Sequence, residues 1–409
     1  MKKDCIPTIS EDKCIQNPGR LNRRDFFRLS AMSLAGLALS RGLAGEERAN
    51  ESQQRRRTPS EIKTNIDEVK NIPRKKESLP GKYPGKVIKI HTGDASSSGK
   101  LNPAKIKEAL ERGMMELTGK KDMKKAWAQF VSPEDVVGIK VNPIGGKLLS
   151  TKPEVVEVII NGLLRAGVPK ENIIIWDRRH FQLADAGFTL ERFPGVRISG
   201  TEIKGPNNEF FDEKGELWSK DNIDRQSQAY FADIEGKYNR DTLPYMVNEG
   251  KHSYFTRIVT QKCTKIINVP ILKNAGSSIT LCLKNLSFGS LSNTARLHNL
   301  WAKAVAEPCA FPCLRDKVVL NIGDGLQGCY EGGPAANPKY IWDANLMLFG
   351  TDPVAVDAVG YDFILKERMK RGLQLLEDKK ARDFLKIAGE LGLGVPQRDN
   401  IKLKELSLA

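Results

Sequence analysis

Residues 135–176 read DVVGIKVNPIGGKLLSTKPEVVEVIINGLLRAGVPKENIIIW, and this stretch decides the fold of the chain. Its two ends, 135–141 and 172–176, are apolar runs with the length of β-strands. The part between them, 153–166, has apolar residues at helical spacing. It opens on proline and is followed by Gly167, as is common at the two ends of a helix. Strand, helix and strand at this spacing predict two parallel strands joined by a right-handed crossover.

The same alternation of patterns continues through the sequence from residue 85 onward. Further strand patterns lie at 87–90, 254–259, 264–269, 317–322 and 345–348, and further helix patterns at 103–118, 278–291, 353–371 and 374–391. We therefore predict the α/β fold class, with a mainly parallel sheet and helices on both faces, in a domain spanning 85–409.

A polar insertion interrupts this rhythm at about 200–250. The segment is rich in acidic and amide residues, and aromatic residues are scattered through it without strand or helix periodicity. It is either an insertion or lid over the sheet, or a long surface loop that packs on itself.

The N-terminus resembles a twin-arginine signal peptide over residues 1–44. Arg23 and Arg24 are followed by a mildly hydrophobic core rich in Ala, Gly and Ser at 29–39, then by Arg41, and cleavage is expected after Ala44. We therefore expect recognition by the Tat export machinery and a periplasmic or otherwise extracytoplasmic location. The alternative is an amphipathic first helix of a cytosolic protein, but this core has no polar face at helical spacing.

Between the signal and the domain, residues 45–84 are polar and proline-containing, which predicts a linker. The longest apolar run of the chain, 29–43, is interrupted by arginine and is shorter than the ~20 residues that span a bilayer. We therefore expect no integral membrane span in the mature protein.

The formal charge of +15 raises the question of nucleic-acid binding. Without residues 1–44 the chain keeps 57 Lys and Arg against 46 Asp and Glu, a charge of +11. Much of this charge is interspersed with acidic residues, and no pattern of stacking aromatic and basic residues accompanies it. The sequence therefore argues against a nucleic acid as partner.

Polar residues follow apolar strands at four places: 139–146, 266–274, 320–325 and 349–357. In open parallel sheets, ligands bind outside the carboxyl ends of the strands. From these places and the residues near them we predict the binding residues Lys140, Asn142, Thr151, Lys273, Lys284 and Asn285, and the catalytic residues Asp324, Asp352, Asp357 and His298.

The chemistry expected at these residues follows from the cost of burying charge. A lysine within an apolar strand needs an acceptor or a ligand, because an unpaired buried ammonium is costly. Lysines and aspartates that converge at one edge of the sheet would bind an anionic small molecule or a metal complex. The alternative is that each lysine pairs with one aspartate and only stabilises the fold. An enzyme or redox accessory fits the first case, and a non-catalytic ligand-binding or cofactor-maturation protein is the alternative function.

The order of these motifs resembles a known family. Residues 140–142, 151–154, 268–273, 283–285, 323–325, 331–334 and 351–357 together resemble the family called domain of unknown function 362, over roughly 85–365. The resemblance implies a bacterial α/β protein with no established reaction, whose relatives are sometimes fused to iron–sulfur ferredoxin modules. Members often carry Lys-Thr-His where this chain has Lys273-Asn274-Ala275, so a histidine available to some relatives is missing here.

Cysteines give a second lead to a cofactor. Five remain after residue 44, and in an oxidising compartment Cys309 and Cys313 are close enough for a local disulfide. Alternatively Cys309, Cys313 and Cys329 hold a metal or an iron–sulfur cluster, although their spacing matches no iron–sulfur motif. The sequence leaves the cofactor unknown, with a metal ion and an iron–sulfur cluster as candidates.

Overall fold

The computed structural model describes residues 58–235, 250–275, 278–373 and 381–408. The strands, numbered along the chain, are β1 Lys86–His91, β2 Ser96–Ser97, β3 Lys100–Leu101, β4 Val137–Lys140, β5 Ile173–Arg179, β6 Arg197–Glu202, β7 Tyr230–Phe231, β8 His252–Ser253, β9 Lys265–Asn268, β10 Ile271–Ala275, β11 Ser278–Thr280, β12 Val318–Cys329, β13 Ile341–Gly350 and β14 Lys402–Ser407.

Helices alternate with these strands. The α-helices are α1 Ile66–Lys70, α2 Pro103–Thr118, α3 Met123–Trp127, α4 Pro153–Ala166, α5 His180–Asp185, α6 Cys282–Ser290, α7 Ala302–Ala306, α8 Pro312–Arg315, α9 Pro353–Lys370 and α10 Asp383–Glu390. Short 3-10 turns lie at Pro59–Glu61, Lys170–Asn172, Lys220–Asn222, Arg296–Asn299, Glu307–Ala310, Pro338–Tyr340 and Arg398–Asn400, and a π-helical turn lies at Ile258–Lys262.

The main sheet has the strand order β14-β1-β13-β12-β9-β4-β5-β6. The neighbours from β12 to β6 along this order are all parallel, whereas β13 runs antiparallel to both β1 and β12. Strand β10 adds to the sheet beside β12 and pairs antiparallel with β11. The predicted mainly parallel α/β sheet is confirmed, and the crossover from β4 through α4 to β5 is the one that residues 135–176 encode.

Side chains alternate between two apolar layers, one on each face of the sheet. Ile173 and Ile175 of β5 pack with the layer that contains α2 and α4, whereas Ile174 and Trp176 pack with the layer that contains α6 and α9. Because successive side chains of a strand point to opposite faces, a strand apolar at every position must be covered on both sides. The sheet is therefore buried between helices on both faces, as predicted.

Two predicted elements differ in type from the structure, and strands β12 and β13 are longer than predicted. The strand expected at 254–259 is absent: Phe255 and Thr256 make single bridges, and the chain then turns into the π-helical Ile258–Lys262. The helix expected from 278 begins only at Cys282, because Ser278–Thr280 pairs with β10 as a strand. Apolar runs of this length fit either state, and tertiary pairing decides between them.

Residues 58–84, the described part of the predicted linker, pack on the domain. Val69 and Leu79 belong to the apolar layer of α6 and α9. The backbone N–H of Leu79 donates to Arg315 O at 2.8 Å, and Ser78 Oγ donates to Asp316 Oδ1 at 2.6 Å. The described residues from 58 to 408 accordingly belong to one compact unit. The predicted signal peptide and the rest of the linker lie outside the described residues.

The described part of the predicted insertion packs beside the sheet. Tyr230 is fully buried and donates a hydrogen bond to Glu307 Oε2 at 2.8 Å, and Arg296 donates to the carbonyl of Ala232 at 3.0 Å. Residues 236–249 lie outside the described part. Among the residues described, no helix combines the length and the apolar character needed to cross a membrane.

Candidate anion-binding site

The carboxyl ends of β4 and β5 bring Lys140 to Asp177. Lys140 Nζ forms a hydrogen-bonded ion pair with Asp177 Oδ1, and it also donates to Val141 O at 2.7 Å and Asn285 Oδ1 at 3.0 Å. The side chains of Lys140 and Asp177 are 0% and 6% exposed. All three ammonium protons are therefore used within the protein, and Lys140 is neutralised by a carboxylate that the sequence prediction did not name.

Helix α6 approaches this pair closely at Gly289. A Cβ atom built on Gly289 would lie 2.3 Å from Lys140 Cε and 2.6 Å from Nζ. Because both atoms belong to a fully engaged side chain, no larger residue fits there without displacing the lysine. The glycine thus lets the helix close over the end of β4.

Lys273 lies in the middle of β10, between β11 and β12. Its Nζ donates to Asn142 Oδ1 at 3.0 Å and to Ile144 O at 2.9 Å, and the residue is fully buried. Within the described ranges no carboxylate oxygen lies within 4.0 Å of this ammonium. Burial, followed by the charge of Lys284, lowers the pKa of Lys273 to about 7.

Lys284, near the start of α6, likewise has no carboxylate oxygen within 4.0 Å among the described residues. Its Nζ donates to Thr280 Oγ1 at 3.4 Å and lies 4.7 Å from the ring centroid of Trp301. Burial, followed by the charge of Arg178, lowers the pKa of Lys284 to about 8. The aromatic ring partly compensates the ammonium, but it does not neutralise it.

Lys273 and Lys284 face a partly open cavity of about 100 Å³, which we call the lysine cavity. It is lined by Asn142, Ile144, Asp177, Arg178, Gln182, Lys273, Thr280, Lys284, Asn285, Phe288, Gly289, His298 and Pro334. Its charged lining comprises three cations and one carboxylate, and that carboxylate already pairs with Lys140. The cavity is therefore electropositive, which suits the anion site predicted at the strand ends.

A row of buried amides fixes the polar wall of the lysine cavity. Asn142 Nδ2 donates to Asn285 Oδ1 at 3.0 Å, Asn285 Nδ2 donates to Asn268 Oδ1 at 2.8 Å, and Asn268 Nδ2 donates to Asn321 Oδ1 at 2.9 Å. Since the Nδ2 of Asn142 is committed to Asn285, its Oδ1 faces Lys273. The row orients one acceptor toward the lysine and leaves the amide nearest to the cavity no freedom to turn.

Thr151 stands behind this wall and does not line the cavity. Its Oγ1 donates to Val269 O at 2.7 Å and accepts from the backbone N–H of Asn142 at 2.9 Å. The hydroxyl joins the ends of β4 and β9 and holds Asn142 in place.

The predicted catalytic aspartates do not converge with the lysines. Asp324 accepts from the backbone N–H groups of Lys152 at 2.8 Å and Leu326 at 3.1 Å. Asp352 caps α9 by accepting from Ala355 N–H at 2.9 Å. Both carboxylates lie away from the cavity and accept hydrogen bonds from backbone N–H groups. Their role is therefore structural.

Asp357 and His298 differ in position. Asp357 accepts from the backbone N–H groups of Cys282 at 2.6 Å and Leu283 at 3.0 Å, where negative charge suits the start of α6. Its burial raises its pKa to about 7, and it does not line the lysine cavity. His298 does line it; its Nδ1 lies 3.2 Å from Ala295 O, and burial lowers its pKa, which favours the neutral imidazole.

The cysteines form neither the disulfide nor the metal site considered from the sequence. Cys309 and Cys313 are free thiols, and Cys309 Sγ contacts the carbonyl oxygens of Leu283 and Val305. Cys329 lies in a different apolar cluster, beside Ile271. In the described ranges no three His, Cys, Asp or Glu side chains come together as a metal site would require.

Sequence reasoning missed Asp177, Arg178, Gln182 and Thr280 as lining residues. Asp177 and Arg178 follow the apolar run 173–176, so the rule that found Lys140 applied to them as well. Gln182 and Thr280 follow no such run, and only the closure of α5 and β11 places them at the cavity.

One glycine pattern at the strand ends has the letter spacing of a dinucleotide-binding loop. Residues 323–328 read GDGLQG, but they belong to the continuous strand β12, paired with β13. A dinucleotide loop turns from a strand into a helix whose N–H groups meet the phosphates. The pattern in β12 therefore forms no phosphate loop.

Larger openings exist elsewhere on the surface. A groove of about 640 Å³ is lined by Asp135 and Lys265, at the amino ends of β4 and β9. Ligands of parallel sheets bind at the opposite ends of the strands, where the lysine cavity lies. Size alone therefore does not identify the site.

These features define an α/β protein with a cationic cavity at the carboxyl ends of parallel strands. The chain belongs to the Domain of unknown function (DUF362) family, whose profile matches residues 137–362. A crystal structure of a Thermotoga maritima protein from structural genomics is similar at 11% identity and a TM-score of 0.34, covering 66% of this chain and 59% of that protein. This chain thus matches less than two thirds of that structure. Comparison with curated proteins finds no significant match.

Proposed function

We propose that this protein binds a small anionic molecule in the lysine cavity. The observation that carries the proposal is that Lys273 and Lys284 both line it without a carboxylate within 4.0 Å among the described residues, although both are buried. A buried ammonium without a counter-charge is costly, and a bound anion supplies the missing charge. Anion binding in this cavity is the first step both for an enzyme that transforms the anion and for a protein that only holds it.

The size of the cavity limits the ligand. Its volume of about 100 Å³ exceeds the roughly 10–15 Å³ that one water needs and is smaller than the roughly 300–1,000 Å³ of drug-sized pockets. A phosphate or a short carboxylic acid is of the right class. Phe288 and Ile144 supply the apolar part of the lining, and Asn285 and Thr280 add polar groups.

Anion binding should raise the melting temperature of the purified mature protein. A ligand that binds only the folded state adds about 2.7 kcal/mol to the free energy of unfolding at a hundred times its Kd. We expect thermal melts with phosphate, acetate, lactate and pyruvate to show saturable stabilisation by at least one of them. The Lys284→Met variant should lose this response because it removes one of the two lysines that line the cavity without a carboxylate partner among the described residues.

Lys386→Met is the matched control, since that side chain is 77% exposed and lies on α10. It should keep the full response to the anion. Equal stabilisation of the parent and Lys284→Met, or no response of the parent to any anion, would contradict the proposal.

We also propose that the chain is exported by the twin-arginine pathway, on the basis of residues 1–44. Replacing Arg23 and Arg24 by lysine should leave the full-length precursor in the cytoplasm, because the paired arginines identify the signal to the export machinery. Cell fractionation followed by immunoblotting measures this. An undiminished amount of processed protein in the periplasm of the double variant would refute the proposal.

A further inference from the structure

We propose that the anion is a short oxo acid and that Lys273 forms a Schiff base with its carbonyl carbon, with Lys284 holding the carboxylate. The inference rests on the proposed anion binding and adds to it the substrate class and a covalent step. It is carried by the different surroundings of the two lysines that share the lysine cavity.

The contacts of Lys273 suit a nucleophilic amine. Its Nζ donates to two acceptors, Asn142 Oδ1 and Ile144 O. A neutral amine has two N–H groups, so it satisfies both acceptors and retains a lone pair at the remaining tetrahedral position. Lys140 differs, because its three acceptors use all three protons of a charged ammonium.

The electrostatics also favour the neutral amine form of Lys273. Burial and the neighbouring Lys284 lower the pKa of Lys273 to about 7, so a substantial share of the amine is unprotonated at neutral pH. A lysine desolvated beside another cation is activated as a nucleophile toward carbonyl groups. Strand β10 pairs with β11 on one side and with β12 on the other, so the backbone of Lys273 is held and the amine is positioned before the substrate arrives.

Lys284 provides the complementary cation. Its pKa of about 8 keeps it mostly protonated at neutral pH, and its Nζ donates only to Thr280 Oγ1 among the described hydrogen bonds. An ammonium with free donors attracts the carboxylate of an oxo acid. An uncharged ketone would lack this contact, which limits the substrates to acids.

The step balances as a condensation. The Lys273 lone pair attacks the carbonyl carbon, a C–N bond forms, and the carbonyl electron pair moves to oxygen, which takes a proton. The nitrogen then releases a proton, the protonated hydroxyl leaves as water, and a C=N bond forms. Amine, carbonyl and one proton thus give a protonated imine and one water, with no oxidant or reductant required.

Reductive trapping tests this step. The mature protein is incubated with pyruvate and sodium cyanoborohydride, and the adduct is located by intact mass and peptide mapping. We expect one adduct per chain at Lys273, no adduct with lactate, which lacks the carbonyl, and at least tenfold less with acetone, which lacks the carboxylate. Lys386→Gln should retain the adduct, and Lys273→Gln should lose it.

A second measurement keeps the test independent of the folding of Lys273→Gln. In the parent protein, the initial rate of trapping at Lys273 should rise through about pH 7, whereas exposed lysines react only at higher pH. Stabilisation by both lactate and pyruvate without an adduct at Lys273 would overturn the Schiff base and leave anion binding intact. Adducts spread over surface lysines alone would also overturn it.

Discussion

Replacing Lys140 by methionine should lower the free energy of unfolding by roughly 3–5 kcal/mol, the usual cost of breaking a buried ion pair. The variant leaves Asp177 buried without its partner and removes the donor to Val141 O and Asn285 Oδ1. Urea unfolding at neutral pH measures the loss. Exposed Lys386→Met should change stability by no more than about 0.5 kcal/mol.

The double variant Lys140→Met, Asp177→Leu provides the decisive comparison. A buried ion pair replaced by apolar residues of similar size is often close to neutral, so the double variant should recover most of the loss. If the single variant loses less than about 1 kcal/mol, the pair is not the structural element that its contacts indicate.

The sequence predicted which lysines are buried at the strand ends, but it did not separate their roles. Lys140, Lys273 and Lys284 share one sequence feature, a lysine among apolar residues. Lys140 pairs with Asp177 on the neighbouring strand, whereas Lys273 and Lys284 face the lysine cavity. Strand order decides this difference, and strand order is a tertiary property that local patterns do not carry.

The sequence also could not predict the roles of the aspartates. Asp352 opens a helix before proline, and such a position is typical of a helix cap as well as of a strand-end site. Asp357 lies one turn into α9, and only the approach of α6 brings the N–H groups of Cys282 and Leu283 to it. The sequence could not show that backbone donors engage both carboxylates. It also could not show that β13 runs antiparallel to β12, which puts Asp352 beside Gly85 at the amino end of β1 and not at the carboxyl ends of the parallel strands.

The fold could be predicted from the sequence more completely than the site. The apolar runs of β4, β5, β9 and β12 are buried on both faces and so show up without ambiguity in the sequence. The peripheral strand β14 was missed because KLKELS is mostly polar. Pairing with the buried strand β1 makes it a strand, and its own composition does not.

Replacing Lys273 by methionine should produce a stability difference that depends strongly on pH. The pKa of Lys273 is about 7 in the folded protein and has its ordinary value of 10.5 in the unfolded chain. Between these values the unfolded chain binds a proton that the folded protein does not. The stability of the parent therefore gains from Lys273 as pH rises from about 7 toward 10.5. Below pH 7 both states are protonated, and the folded protein bears the full cost of the buried ammonium.

Lys273→Met lacks this titration and should be more stable relative to the parent at pH 6 than at pH 9. Each unit of pH within the window corresponds to about 1.4 kcal/mol, so the advantage should shrink by about 3 kcal/mol between these two values. Urea unfolding of both proteins at pH 6, 7.5 and 9 measures it, and taking the difference cancels the titration of all shared groups. Lys386→Met should differ from the parent by the same small amount at each pH. A Lys273→Met difference that stays constant with pH would mean that the ammonium is stabilised in the folded protein as well as it is in water, and the electropositive cavity would then lack the property that makes it a site for an anion.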